Sequence, residues 1–438
     1  MITKRLGSFL CAIVALYLLL SPAYALYYFE QFASDIPRVI RYSIIPGALS
    51  VIFLIVGFYT KPQIALVTGL SGVSALAGFF LFETVLTAQS IPVRLAMLGQ
   101  LSNEQQEKLG RSDNTIRGFT LGGLNDAAGT GELSKALLSG FPGTRVVLCS
   151  SQDGAISYEA DRYGFNNPDD IYQDPLELMV VGDSFVEGFC LPPGKDLTSR
   201  LRQEGLRAAS FGLRGNGPLL ELATIGRFGK IIRPRHVVFA FFEGNDWENL
   251  EKELGRPWLR AALEAEADYG SQEAAADTIR QAELTVKERS KKRITTYDLF
   301  AKTELLRNFV ALQQTFTRLG LIYPKGVGAI PEFRTVLRQA KTIVAQWGGK
   351  VTMVYVPRND RFLGVLSADH AFDALRNIVL DSAAKEGVDV VDLSEAFSRY
   401  PEPKRLYAPD NHFSQEGAAF AASIVARHLT MIEQSKAN

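Results

Sequence analysis

MVVGDSFVEGF, residues 179–189, runs an apolar stretch straight into Gly182-Asp183-Ser184, and the reading of that junction decides the fold. Met179, Val180 and Val181 show no apolar/polar alternation, so they read as a strand buried on both faces. Such a strand belongs to a parallel sheet covered by helices on each side. Gly-Asp-Ser then falls at its carboxyl end, where open parallel sheets bind ligands. Serine is common in turns for backbone reasons alone. What Ser184 does therefore depends on what else gathers at the same edge.

Working outward, four similar runs follow the first strand, LELMVV (176–181): RAASF (207–211), HVVFAFF (236–242), VTMVYV (351–356) and VDVVDL (388–393). Helical stretches are expected between and after them, at about 195–204, 218–229, 332–347, 371–386 and 415–430. The alternation predicts a three-layer α/β/α domain with a mostly parallel five-stranded sheet. One interval is too long for a simple connection. Residues 247–323 carry a charged helical stretch and then a more apolar one, and read as a helical insertion, a lid or a partner surface.

Each strand should deliver its following residues to one edge. After the first comes Gly182-Asp183-Ser184, after the second GLRGNGP (212–218), after the third EGND (243–246), and beyond the last YAPDNHFSQEG (407–417). Singly, Gly215 reads as a turn glycine, Asn245 as a turn or cap residue, and Asp410 as a cap. Together they resemble the SGNH hydrolases, the GDSL-type esterases and lipases. Gly182-Asp183-Ser184-Phe185 looks like the nucleophile block, Gly215 the second-block glycine, Gly244-Asn245-Asp246 the asparagine block, and Asp410 with His412 the last block. The resemblance spans about residues 158–430 and implies a flavodoxin-like sheet and ester chemistry on Ser184. Only Asn411 separates Asp410 from His412, where the family often has two residues. That shorter spacing is similar to the one in membrane-associated SGNH proteins of polysaccharide acetylation.

The chemistry accounts for the residue types independently. A serine hydroxyl needs a base to become a nucleophile at neutral pH, and histidine suits that duty. Of four histidines, His236 enters its strand at the wrong edge, and His370 and His428 sit in helical contexts without an acidic partner close in sequence. His412 remains, with Asp410 placed to orient the imidazole and stabilise its cation. An oxyanion would take the backbone N–H groups of Ser184 and Gly215 and the Asn245 amide. Asp183, Gly182, Gly244 and Asp246 read as support, Asp183 shaping the loop by hydrogen bonding rather than moving protons.

Three apolar stretches lead the chain, near 6–29, 42–60 and 63–86, without a charge over Leu6–Phe29, Tyr42–Thr60 and Ile64–Phe82, each about the ~20 residues a helix needs to cross a bilayer. Residues 1–87 therefore read as a membrane anchor, 88–157 as a lead-in with a short helix or two and a strand at RVVLC, and 158–438 as the hydrolase-like domain. The first stretch, with Lys4 and Arg5 before it and SPAYA ending at Ala25, also fits a cleavable signal, though its length favours a retained helix. Either way, crossing parity puts the domain outside the cytoplasmic membrane, on the periplasmic side. Cys149 and Cys190 then meet an oxidising compartment, where they form either a disulfide beside Ser184 or two buried thiols.

Lys plus Arg and Asp plus Glu are balanced at 47 each, which gives no electrostatic argument for nucleic acid. No Walker loop, dinucleotide fingerprint, paired CxxC or HExxH occurs, so neither metal nor organic cofactor is expected. The expected function is an esterase acting on acyl, chiefly O-acetyl, groups of an envelope or exopolysaccharide glycan or a lipid. The alternatives are an O-acyltransferase of the same fold and a non-catalytic glycan-assembly subunit, with membrane-embedded partner proteins for the three helices.

Overall fold

The leader folds into three long helices, α1 (Ile2–Tyr27), α2 (Ile36–Tyr59) and α3 (Pro62–Leu95), all long and apolar enough to cross a membrane. This is a computed structural model, and it describes residues 2–29, 36–97, 114–151, 154–292, 295–302, 304–322 and 327–437. Small residues let the helix backbones approach. A Cβ on Gly7 would meet the backbone of Ala65 and Leu66, and one on Gly69 the side chain of Leu10. Polar side chains turn inward: Ser8 Oγ donates to Gly57 O, Ser50 Oγ to Ala15 O and Ser21 Oγ to Tyr42 O. Large apolar ones turn outward, among them Leu16, Val67 and Leu81. Apolar outside and polar inside is the pattern of a bundle whose solvent is hydrocarbon.

The chain's contacts group into two compact units. One comprises residues 1–91, 304–328 and 363–374, the other 92–303, 329–362 and 375–438. The helices expected in 247–323 form, at Asp246–Leu254, Pro257–Arg260, Ala276–Lys291, Thr296–Lys302, Leu305–Val310 and Gln313–Leu319. Those up to residue 303 group with the sheet domain, and those from 304 with the apolar helices. Of the short helix or two expected in the lead-in, one forms at Leu121–Ala128, while residues 98–113 lie outside the described residues.

The second unit starts with a three-stranded sheet, β1 (Thr115–Arg117), β2 (Arg145–Ser151) and β3 (Gly154–Glu159). β1 runs parallel to β2, and β3 antiparallel to it. RVVLC thus lies on β2 as expected, and its Cys149 is joined by a disulfide to Cys190, six residues after Ser184. The remaining cysteine, Cys11, is a buried thiol in α1. Denatured, unreduced protein should accordingly titrate one thiol, rising to three on reduction. Three thiols before reduction would contradict the bridge.

The main sheet contains β4 (Leu178–Val181), β5 (Ala208–Ser210), β6 (His236–Phe242), β7 (Lys350–Val356) and β8 (Asp389–Asp392). All pairings are parallel, in the order β5-β4-β6-β7-β8. Leu178, Val180, Val238, Val354 and Val391 pack on one face beneath helices Leu197–Gln203 and Gln415–Ala437. Phe241 on the other meets Phe333 of helix Glu332–Ala345 at 5.5 Å between ring centroids. β4 is buried at every position, which is why its sequence lacks alternation. Strand order reverses at β4: its chain successor β5 lies on one side and β6 on the other. That reversal opens a crevice at the carboxyl ends, and Ser184 stands directly after β4.

Candidate active site

The turn after β4 is tight because nothing else fits. A Cβ on Gly182 would lie 2.4 Å from Val186 Cγ2. Asp183 caps the one-turn helix Ser184–Glu187, its Oδ1 accepting from Phe185 N at 2.9 Å. Such a cap leaves Ser184 at the first helical position, with its N–H unused by the helix. Ser184 Oγ lies 2.9 Å from His412 Nε2 and 3.3 Å from Asp183 Oδ2. The base chosen by elimination from four histidines is the one in contact with the serine.

His412 arrives from the far side of the sheet, on a loop held in three places. Tyr407 Oη donates to Pro357 O at 2.6 Å, Asn359 Nδ2 donates to Asn411 Oδ1 at 2.9 Å, and Ala408 N donates to His412 O at 2.8 Å. Asn411 has a φ of 69°, a conformation asparagine tolerates better than most residues. This lets the single residue between Asp410 and His412 make the turn. Phe185 and Phe189 flank the imidazole at ring-centroid distances of 5.1 and 4.4 Å.

Asp410 is placed beside the base but not in line with it. Its Oδ1 accepts from the His412 backbone N–H at 3.1 Å and stands 3.5 Å from His412 Nδ1, which has no hydrogen-bond partner. At that range Asp410 stands beside the ring without a hydrogen bond to it. A shift of a few tenths of an ångström would add the orienting hydrogen bond, and such bonds commonly tighten only with substrate present.

The other histidines are placed elsewhere. His236 faces Glu433 at 3.3 Å at the amino end of β6. His428 meets Asp389 across 39 residues of sequence, an acidic partner that sequence spacing does not reveal. His370 lies 3.2 Å from Arg41 Nη1.

Gly215 follows β5 at a φ of 73°, and a Cβ there would be 2.8 Å from Thr120 Cγ2, so glycine suits both the turn and the space. Its loop is fixed to the nucleophile turn. Leu213 N donates to Gly182 O at 3.2 Å, and Arg214 N donates to Glu187 Oε2 at 3.0 Å. Asn245 follows β6, and its side chain stands beside the Asp183 carboxyl. The turn around it is set by Asp246 Oδ2, which accepts from Phe242 N at 2.6 Å, while Gly244 packs against the Phe242 ring. If Asn245 is the third oxyanion donor, Asn245→Ala should lower kcat for an ester by about 10²- to 10³-fold with little change in KM. Loss confined to KM would remove it from that role.

Buried acids that sequence reasoning missed build the frame. Glu187, buried in the quoted stretch itself, accepts from Arg214 Nε at 2.9 Å and from Tyr158 Oη at 3.2 Å. Glu253 receives the N–H groups of Gly217, Leu219 and Leu220, tying the Gly215 loop to the helix that follows Asn245. Burial lifts Glu253 to about 7 against those donors. Glu243 pairs with Arg361 beneath the EGND turn. Burial also raises Asp183, opposed by the Phe185 N–H, by His412, and by Asn245 and Ser184. Glu221 and Asp246 are pushed well up by burial and by neighbouring carboxyls.

Residues 316–437 match the family model of the SGNH hydrolase-like domain, acetyltransferase AlgX. The match holds Asp410 and His412, and Ser184, Gly215 and Asn245 precede it. No curated protein sequence matches the chain. Among solved structures, it is similar to a lipase/acylhydrolase from Enterococcus faecalis, at 15% identity over 58% of this chain and 95% of that one, with a TM-score of 0.31. It is also similar to TesA, at 14% identity over 57% and 94%, with a TM-score of 0.30.

Proposed function

We propose that the SGNH hydrolase-like domain of this chain is a serine acyl-transfer catalyst, anchored by α1–α3 and facing the extracytoplasmic side, that removes O-acetyl or similar groups from an envelope or exopolysaccharide glycan. The observation that carries the reading is the 2.9 Å contact of Ser184 Oγ with His412 Nε2, with Asp410 beside the ring. In the first half-reaction Oγ forms a bond to the ester carbonyl carbon and its proton passes to His412 Nε2. The developing oxyanion takes the N–H groups of Ser184 and Gly215 and the Asn245 amide, and the carbon–oxygen ester bond breaks. His412 returns the proton to the departing alcohol. Water then reverses the sequence and frees the acid.

A second reading replaces that water with a sugar hydroxyl, making the chain an O-acyltransferase. The family description, acetyltransferase AlgX, favours it, and both readings share the acyl-enzyme. The side of the membrane follows from Lys4 and Arg5 staying cytoplasmic while three crossings follow. Full-length protein in detergent, given p-nitrophenyl acetate with and without an acetyl-free oligosaccharide, separates the two. Acetate alone supports the esterase, and acetylated sugar the transferase. An acetyl-serine adduct at Ser184 is expected in either case, and its absence, with turnover persisting, would sink both.

A further inference from the structure

We propose that two segments outside the three apolar helices, Glu304–Ile322 and Leu363–Ala374, form a collar embedded in the lipid leaflet at the end of the bundle remote from Lys4 and Arg5. The inference rests on α1–α3 spanning the membrane, and its starting point is Glu83. A carboxylate inside an apolar helix is costly unless it has partners. Glu83 is fully buried, and apart from Thr87 Oγ1 of its own helix at 3.5 Å its donors come from helix Gln313–Leu319. Gln314 N and Thr315 N donate to it at 3.1 and 2.7 Å, and Thr315 Oγ1 at 2.8 Å. The acid on α3 caps a helix 231 residues away in sequence, so that helix belongs at the depth of Glu83.

That depth follows from helix geometry. Glu83 lies 21 residues beyond Pro62 at the start of α3, about 32 Å at ~1.5 Å per residue. Arg41 lies 18 residues before Tyr59 at the end of α2, about 27 Å by the same rise. α2 and α3 meet at Lys61, so both groups stand roughly one hydrocarbon thickness of ~30 Å away from it, at the opposite boundary. Arg41 Nη1 donates to Ile322 O at 2.6 Å. Deeper in, Tyr17 Oη donates to Val310 O at 3.0 Å, and Phe309 packs on Phe80 with ring centroids 5.6 Å apart. The second segment joins the first through Val365 N to Arg318 O and Leu366 N to Leu319 O, with Ala368, Ala371 and Phe372 packed on Ile322.

Alongside exposed Glu304, Arg307 and Arg318, which suit a headgroup boundary, the collar turns large apolar side chains out. Leu306 is 66% exposed, Val365 84% and Leu366 56%. These sit in the same compact unit as Leu81, Phe82 and Val85 of α3, themselves exposed. Outward apolar side chains in the same unit as the apolar helices, at the level where α2 and α3 reach the boundary, have lipid as their natural solvent.

The test uses full-length protein in a Cys11→Ser background, reconstituted in nanodiscs of phosphatidylcholine and phosphatidylglycerol. A fluorophore is placed singly by Leu306→Cys, Val365→Cys, Leu16→Cys and Glu283→Cys, all exposed positions. Lipids carrying a nitroxide just below the headgroup act as quencher. Dyes at Leu306 and Val365 should be quenched to an extent comparable with Leu16, the reference on α1, and far more than at Glu283. Quenching at Leu16 but not at Leu306 and Val365 overturns the collar and leaves the spanning helices intact. Blue-shifted but unquenched dyes at the two collar sites also overturn it, in favour of a protein partner or a second copy. If Leu16 itself escapes quenching, the spanning reading fails and the collar with it.

Discussion

Ser184→Ala lowers acetyl-ester turnover by about 10⁴-fold or more, His412→Ala does the same, and the double variant is no worse than either alone. The non-additivity is the informative part. Oγ and Nε2 are 2.9 Å apart and form one proton-transfer unit, so once either is gone the other has no step left to assist. What survives is the background from oxyanion donors and binding. Asp410→Ala should cost less than either, because Asp410 meets the ring at 3.5 Å without a hydrogen bond while its Oδ1 holds the His412 backbone N–H. The measurement is steady-state kcat on p-nitrophenyl acetate, with thermal melts to confirm folding. Multiplying losses in the double variant would mean that Ser184 and His412 act in separate steps, and the dyad would have to be abandoned.

The parts of this site that were legible in sequence are those fixed by local rules. β4 and β6 read as continuous apolar runs because both faces are covered, whereas edge strand β8 is fully buried only at Val391, and the polar residues after the strands had no other edge to occupy. The ends moved by one or two residues, LELMVV shrinking to Leu178–Val181 because Leu176 and Glu177 precede the ladder. What stayed hidden is long-range. Glu243 and Arg361 are 118 residues apart, and His428 and Asp389 39, so no spacing rule pairs them. Glu187 was visible as a lone acid among apolar neighbours, yet its partner Arg214 lies beyond the next strand. The interval 247–323 read as one insertion because helical periodicity carries no information about which neighbour a helix packs on. It took the Glu83 contacts with Gln314 and Thr315 to reveal a change of partner near residue 304. Asp410 reads in sequence as orienting the imidazole from two residues away. The left-handed turn at Asn411 explains why its carboxylate engages the backbone first.

Glu243→Ala should destabilise the sheet domain by about 3 to 5 kcal/mol, although residue 243 touches no reacting atom. Its side chain is fully buried and that of Arg361 is 3% exposed. The guanidinium grips the carboxylate through Nε at 2.9 Å and Nη2 at 2.6 Å, while Tyr355 Oη and Arg358 N donate to the same two oxygens. Removing the acid takes from a buried cation and a buried hydroxyl the carboxylate both donate to, and weakening the compensation of a buried charge is the larger cost. Replacing both ends tests whether that cost, rather than a strong attraction, is the cause. Glu243→Leu with Arg361→Met removes the charges together, and such double replacements are often near neutral. The double variant should therefore melt close to wild type while Glu243→Ala melts far below it. Activity need not return with stability. Glu243 immediately precedes Gly244 and Asn245, and its bond to Arg358 N ties their turn to the chain leaving β7. A stable double variant with kcat still depressed would assign the ion pair to positioning the oxyanion amide. Recovery of both would make it a stability element alone, and a Glu243→Ala melt at the wild-type temperature would contradict the buried pair itself.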